Sequence, residues 1–487
     1  MVIQLSGSGP LYRQVYRAIR EAILQGRLRS GDRLPVSRGL ARDLGISRNV
    51  VMIAYEQLIA EGYAFGQIGS GTYVAASVPD SMIAADRTSK RELRRTQPAS
   101  VPLSQYARRL LSCPGSDAPV DVSAPPVQFD FAYYRASAQN FPHDLWRRLL
   151  VRHHRTLDLE YAPVQGDAAL REEIAKYLRR SRAVDCEPGQ ILLVNGSQQA
   201  LDLVSRVLID PGNTVVLEEP HYQGAREIFR AAGAKLRFIP VDRSGLQVDR
   251  LPKPPRKVRL AYVTPSHQFP TGAVLPLDRR LALLSWAEKM GAYILEDDYD
   301  AEHRYEGRPL EAVQGLDRSG RVIYIGTFTR VLFPSLRLGY VVMPAPLRDA
   351  LSRVKWIADR HTSSLQQAAL AAFMREGHFD HYVRRFRAYS AARRAALLEA
   401  IEENFGDAVE VLGAAAGMHV LVRLPAIPAG RTAALIERAA RAGVGVYSAA
   451  PYYGSKAHAC CELMLGYGAL TQADIATGIR LLREAAN

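Results

Sequence analysis

Beyond about residue 128 the chain repeats one alternation: a short apolar run, then an amphipathic stretch long enough for a helix, then another apolar run. The runs fall at 191–194, 214–217, 260–264, 293–295 and 322–325. Segments this short and this continuously apolar suit strands covered on both faces. Strands that alternate with helices pair in parallel, because a parallel neighbour is reached only through a crossover connection. The pattern therefore predicts an α/β domain built on a mostly parallel sheet. From about residue 347 onward the periodicity changes to helices and a small sheet, a smaller α+β part. No internal repeat is evident.

At 487 residues, 48% of them apolar, the chain exceeds one ordinary core and is expected to be multidomain. Residues 1–75 read as one compact module. Residues 76–127, rich in Pro, Ser, Ala and Arg, read as a linker with a basic stretch at Lys90, Arg91, Arg94 and Arg95 and a short helix near 103–111. Residues 128–487 form the large domain. No run of 18 uncharged apolar residues occurs, and the first residues lack the order of a secretory signal, so a cytoplasmic protein is predicted, without membrane association. Cys113, Cys186, Cys460 and Cys461 show no metal-ligand spacing and are expected to be reduced thiols; no metal is expected. The net charge of +14 points to an anionic partner, nucleic acid first, unless the arginines are merely spread over a solvated surface. Local motifs decide between the two.

In the first module, Leu11, Val15, Ile19, Ala22 and Ile23 recur at helical spacing and Gly26 ends the helix. Leu40, Ala41 and Leu44 mark a second helix beginning near Val36, and Val50, Ala54, Leu58 and Ile59 a third. Gly45 breaks the second, and Ser47 is placed to cap the third, where its hydroxyl satisfies an orphan amide. A Gly-punctuated hairpin follows over 64–74, with its tip at Gln67, Ile68, Gly69, Ser70 and Gly71. Helix, turn, helix and hairpin make a winged helix-turn-helix. Arg48 and Asn49, just past the Ser47 cap, stand where a recognition helix reads base edges: arginine suits guanine and asparagine suits adenine. Nine arginines against five acidic residues give this module a net charge of +4, so the charge is concentrated here. A helical protein-interaction module is the competing reading.

The segments Pro10-Leu11-Tyr12, Leu34-Pro35-Val36-Ser37-Arg38, Leu44-Gly45-Ile46-Ser47-Arg48-Asn49 and Gly69-Ser70-Gly71-Thr72-Tyr73-Val74 resemble the GntR-type winged helix over the whole module. The resemblance implies that Arg38 and Arg48 are principal DNA contacts, that Ser47 and Asn49 stand beside them, and that the wing at Gly69 reaches the minor groove. Val36 and Val50 replace small hydroxyl residues, which costs a hydrogen bond or two.

In the large domain Asn195-Gly196-Ser197-Gln198-Gln199 follows a strand and opens a helix, so the Ser197 and Gln198 amides point from a helix N-terminus at any phosphate there. Tyr222, after the next strand, is either a ring laid on a planar cofactor or an ordinary core tyrosine. Glu296-Asp297-Asp298-Tyr299-Asp300 ends a strand where parallel sheets gather ligand groups. Asp297 can keep a pyridine nitrogen protonated and Tyr299 can donate to a ring hydroxyl; metal binding or helix capping are the other uses of such a run.

With Tyr161-Ala162-Pro163 and Gly166, with 264–272, and with 326–330 leading to 334–340, these segments resemble the fold type I aminotransferase domain of MocR-type regulators in the GntR group. The resemblance implies pyridoxal 5'-phosphate as cofactor, a head-to-tail homodimer on a double-stranded DNA operator, and a small-molecule effector. One position departs from it. Arg330, seven residues before Arg337, stands where the family places the Schiff-base lysine, and no lysine occurs between Lys289 and Lys355. A guanidinium stays charged and forms no ordinary Schiff base. Losing the amine removes both the tether and the proton carrier of transamination, so no catalytic residue is expected. Non-covalent cofactor binding through Ser197, Gln198, Tyr222, Asp297, Tyr299, Arg330 and Arg337 is the expectation, although Arg330 can instead pair with Asp297 and fill the site. Glu462-Leu463-Met464-Leu465 stands near where aminotransferases often carry a carboxylate-binding arginine, which leaves an amino-acid effector open. Two rival functions remain: an aminotransferase with an accessory DNA-binding domain, and a dimerisation scaffold that binds no cofactor.

Overall fold

A computed structural model of the chain describes residues 5, 9–67, 69–76, 102–112, 127–135, 141–255, 257–300, 302–305, 311–454 and 459–487. Ile68, the basic positions Lys90, Arg91, Arg94 and Arg95, and Cys113 lie outside the described residues. The chain divides into two compact units, residues 1–102 and 103–487.

The first unit holds helices Leu11–Leu24, Ser37–Leu44 and Arg48–Ala60, then strands Ala64–Gln67 and Gly71–Val74 paired antiparallel. Its core is Val15, Ile19 and Ile23 from the first helix, Leu40 and Ala41 from the second, and Val51, Ala54, Tyr55 and Leu58 from the third. Two expected core positions differ. Ile59 is exposed, because the buried stripe of the third helix runs 51, 54, 55 and 58, one helical face, with the Tyr55 hydroxyl donating to Pro35 O at 2.8 Å. Leu11 is exposed as well; it is the first residue of its helix and stays outside the cluster that Val15 opens. Gly45 closes the second helix in the left-handed conformation (φ 64°) and Ser47 caps the third, accepting from the Val50 amide at 3.4 Å.

The second unit centres on an eight-stranded sheet. In order across it run Ile191–Val194, Gly339–Val342, Val322–Thr327, Tyr293–Asp297, Leu260–Val263, Thr214–Glu219, Lys235–Asp242 and Gly245–Leu246. Pairing is parallel from Val322–Thr327 to Lys235–Asp242, while Gly339–Val342 runs antiparallel to both neighbours and Gly245–Leu246 folds back as a hairpin. Apolar clusters lie on both faces, one on helix Ser197–Leu208 and another on helix Leu277–Met290. A four-stranded antiparallel sheet of Glu410–Leu412, His419–Pro428, Cys460–Gly466 and Tyr447–Ser448 forms the smaller C-terminal part.

Helix Gln105–Leu111, inside the stretch read as a linker, packs on helix Gln223–Ala231, and the Arg109 guanidinium donates to Ala231 O at 2.9 Å. Residues 103–112 thus group with the second unit. Among the described residues no helix is long and apolar enough to cross a membrane, and Cys186, Cys460 and Cys461 are unbridged.

Candidate functional site

The ends of the central strands open into a cavity of about 710 Å³. Ser197, Gln198, Tyr222, Asp297, Tyr299, Arg330 and Arg337 all line it. Ser197 and Gln198 are the first residues of their helix, whose N-cap, Gly196, has φ 82°. A Cβ at Gly196 would come within 2.9 Å of the Arg337 guanidinium, a flexible end that can shift, so it is the positive φ that calls for glycine here. Arg337 itself adopts a left-handed backbone (φ 50°) and donates to Asn195 O at 2.9 Å. A non-glycine residue held this way marks a position fixed by its surroundings. Tyr222 accepts from the Gln198 amide nitrogen at 2.7 Å and sets its ring edge-on to Phe269.

The acidic run at the end of Tyr293–Asp297 is divided among four tasks. Glu296 accepts from the amides of Val313 and Gln314, both at 2.9 Å, at the start of helix Val313–Leu316. Asp297 faces the cavity: one oxygen accepts from Tyr262 at 2.8 Å, and the other is buried with no hydrogen-bond partner. Burial pushes this carboxyl up to about 7 against the opposing Tyr262 bond. Asp298 forms a buried ion pair with Arg182 at 2.7 Å and accepts from Tyr324 at 2.7 Å. Asp300 lies among His267, His303 and Arg330. Burial alone would raise it, but the Arg330 guanidinium and His267 overcome that and hold it well below the usual carboxylate range.

Arg330 does not pair with Asp297. Its Nη1 donates to Tyr133 O at 2.6 Å, its Nε stands 3.7 Å from Asp300, and its guanidinium lies 5.5 Å and 5.7 Å from the rings of Tyr133 and Tyr299. Asp300, not Asp297, is the carboxylate that the Arg330 guanidinium faces. The cavity therefore stays open above Asp297. Among the described residues lining it there is no lysine. The Tyr299 hydroxyl meets His267 Nδ1 at 3.0 Å. Glu462 is absent from the lining; it is tied to Arg423 at 2.9 Å and Tyr453 at 2.7 Å. Sequence reasoning missed Tyr133, Tyr134 and Arg135 in the cavity wall, and missed Tyr262 as the partner of Asp297.

On the first unit, Arg38, Ser47, Arg48 and Asn49 are exposed. Arg48 and Asn49 are the first two residues of the third helix, and Arg48 Nε reaches the Ser37 hydroxyl of the second at 3.4 Å. Gly69 sits in the hairpin turn with φ 75°.

Residues 133–460 match the aminotransferase class I and II family, and residues 11–74 match the bacterial regulatory proteins of the gntR family. The probable rhizopine catabolism regulatory protein MocR of Rhizobium meliloti is 40% identical over 427 residues, covering 87% of this chain and 83% of its own. The HTH-type transcriptional regulator TauR of Rhodobacter capsulatus is 35% identical over 403 residues, 82% of this chain and 81% of that one. Among solved structures, the α-aminoadipate aminotransferase LysN of Thermus thermophilus, complexed with N-(5'-phosphopyridoxyl)-L-leucine, superposes with a TM-score of 0.71 at 29% identity, over 79% of this chain and 96% of that one. The chain belongs to the MocR-type branch of the GntR regulators, in which a helix-turn-helix module precedes an aminotransferase-like α/β domain.

Proposed function

We propose that this chain is a DNA-binding transcription regulator whose second unit senses a planar, phosphate-bearing ligand of the pyridoxal 5'-phosphate class, held without a covalent bond. The observation that carries the reading is the pairing of a retained cradle with a wall that offers no lysine, Arg330 being turned to Tyr133 and Asp300. The residues fit such a ligand. The partnerless Asp297 oxygen is a buried acceptor for a protonated ring nitrogen, and Tyr222 supplies a flat wall. Ser197 and Gln198 at a helix start, with Arg337, form a cationic cradle for a phosphate.

Bound in an enzyme of this fold, the group supplies an electron-withdrawing ring and a reactive carbonyl. Here the Arg330 guanidinium neither attacks a carbonyl nor gives up its proton to act as a base, so transamination is not part of the proposal. Arg38, Ser47, Arg48, Asn49 and Gly69 form the DNA-contacting surface, and a head-to-tail homodimer places two modules on paired half-sites. A ligand acts by binding one arrangement of the dimer more tightly than another.

The test is the purified full chain with and without added pyridoxal 5'-phosphate. Expected are a raised Tm, since a ligand specific to the folded state must stabilise it, and a chain mass that borohydride leaves unchanged. A reduced adduct on the chain, or a Tm that does not move at saturating cofactor, overturns the reading.

A further inference from the structure

A second cluster lies behind the cavity wall. His267, Asp300 and His419 are each buried, at 2%, 4% and 0% exposure. They come from three separate places: the loop after Leu260–Val263, the segment after Tyr293–Asp297, and the first position of strand His419–Pro428 in the smaller sheet. One candidate ligand atom from each lies within 4.8 Å of the other two. Unsatisfied buried polar atoms concentrate here: His267 Nε2, both Asp300 oxygens and His419 Nδ1, with both ring nitrogens of the neighbouring His303. Buried polar groups are nearly always satisfied, so an accumulation at one point calls for a missing occupant.

Each histidine also has one ring nitrogen against an oxygen. His267 Nδ1 meets the Tyr299 hydroxyl at 3.0 Å and stands 3.4 Å from Asp300, and His419 Nε2 meets Pro270 O at 3.2 Å. For His419 that is the arrangement by which an outer oxygen orients a ligating imidazole and frees its second nitrogen, while His267 turns Nδ1 itself toward Asp300. We propose that His267, Asp300 and His419 form a binding site for a divalent transition-metal ion, with His303, 3.7 Å from Asp300, as a neighbouring nitrogen donor.

Two imidazoles and one carboxylate suit zinc or cobalt rather than calcium or magnesium, which require more oxygen ligands. Metal–ligand distances near 2.0–2.2 Å hold the ligand atoms of a tetrahedral ion about 3.4 Å apart, so atoms up to 4.8 Å apart have to close by up to about 1.4 Å. Arg330 faces the same carboxylate and competes with a cation for it; the nitrogen donors carry the selectivity. Since His419 belongs to the smaller sheet and the other two ligands to the larger, the ion would clamp the two parts of this unit together. This inference does not depend on the cofactor reading.

The experiment uses the full chain, stripped with chelator and titrated with cobalt ion alone. Expected are one cobalt per chain, visible absorption bands of a four- or five-coordinate ion, their loss on adding zinc, and a raised Tm. His419→Gln should bind at least tenfold more weakly, while His154→Gln at an exposed position should bind as the parent does. Substoichiometric cobalt in the parent chain, spectra of a six-coordinate surface ion, or unchanged bands in a folded His419→Gln chain overturn the proposal. If that variant does not fold, the parent's stoichiometry and spectrum decide the question by themselves.

Discussion

At the scale of single residues the cavity is governed by which acid Arg330 faces. Arg330 satisfies itself on Tyr133 O and Asp300, leaving Asp297 to Tyr262. Arg330→Lys tests this directly. A lysine amine, once deprotonated, can attack a carbonyl, so borohydride should trap pyridoxal 5'-phosphate on the variant and not on the parent; a variant that also binds cofactor only reversibly shows that more than one side chain separates this cavity from a covalent site. A second prediction concerns Glu218, which accepts from the Thr264 amide at 3.1 Å, the Thr264 hydroxyl at 2.7 Å and Gln268 at 3.3 Å. Burial raises its carboxyl from the usual 4.5 to about 7. An acid shifted upward contributes fully to stability below about pH 4.5, and that contribution is lost as pH rises through about 7. Glu218→Gln removes the titration and keeps a carbonyl acceptor for Thr264. Its Tm relative to the parent should therefore be higher at pH 8 than at pH 5; the reverse order would refute the assignment.

At the scale of elements, the recognition helix is the clearest case of sequence dictating geometry. Ser47 caps it and Gly45 ends its predecessor, so the turn between them is set by two residues, and Arg48 and Asn49 are placed at its exposed start. Arg48→Ala is expected to weaken operator binding by about 1–3 kcal/mol if the guanidinium reads a guanine with both arms. Competition binding against the operator and a site altered at that base measures it, and equal losses on both sequences would reduce Arg48 to a phosphate contact. Five of the eight strands of the large sheet were equally readable, because a buried parallel strand has to be apolar along its whole length; Lys235–Asp242, Gly245–Leu246 and Gly339–Val342 were not foreseen. Other features left no such trace. Tyr133, Tyr134 and Arg135 follow a strand of only two residues, Phe129–Asp130, too short to show a period. His267, Asp300 and His419 meet only because the small sheet folds back on the large one, and no local spacing records that. In the run 296–300 the residue types announced a site, but the fourfold division of labour depends on Val313, Tyr262, Arg182 and Arg330, each distant in sequence.

At the scale of the whole chain, every described residue lining the cavity lies within 103–487, and every residue of the proposed DNA-contacting surface lies within 1–102. A chain reduced to residues 103–487 should therefore bind pyridoxal 5'-phosphate within about twofold of the full protein and lose operator binding entirely; isothermal titration and gel retardation measure the two. Loss of ligand binding on truncation would mean that the first unit takes part in the cavity. The docking of helix Gln105–Leu111 on Gln223–Ala231 makes Leu103 the natural start of such a fragment, since cutting at residue 128 would strip that helix from its partner.

On the proposed reading, a receptor whose described lining offers no primary amine has no means of storing its guest covalently. Whatever enters leaves by simple dissociation, at a rate fixed by a few polar contacts and a stacked ring rather than by bond cleavage. Under the proposed function its occupancy then follows the free concentration of the guest, and the second unit serves as a gauge rather than a reservoir.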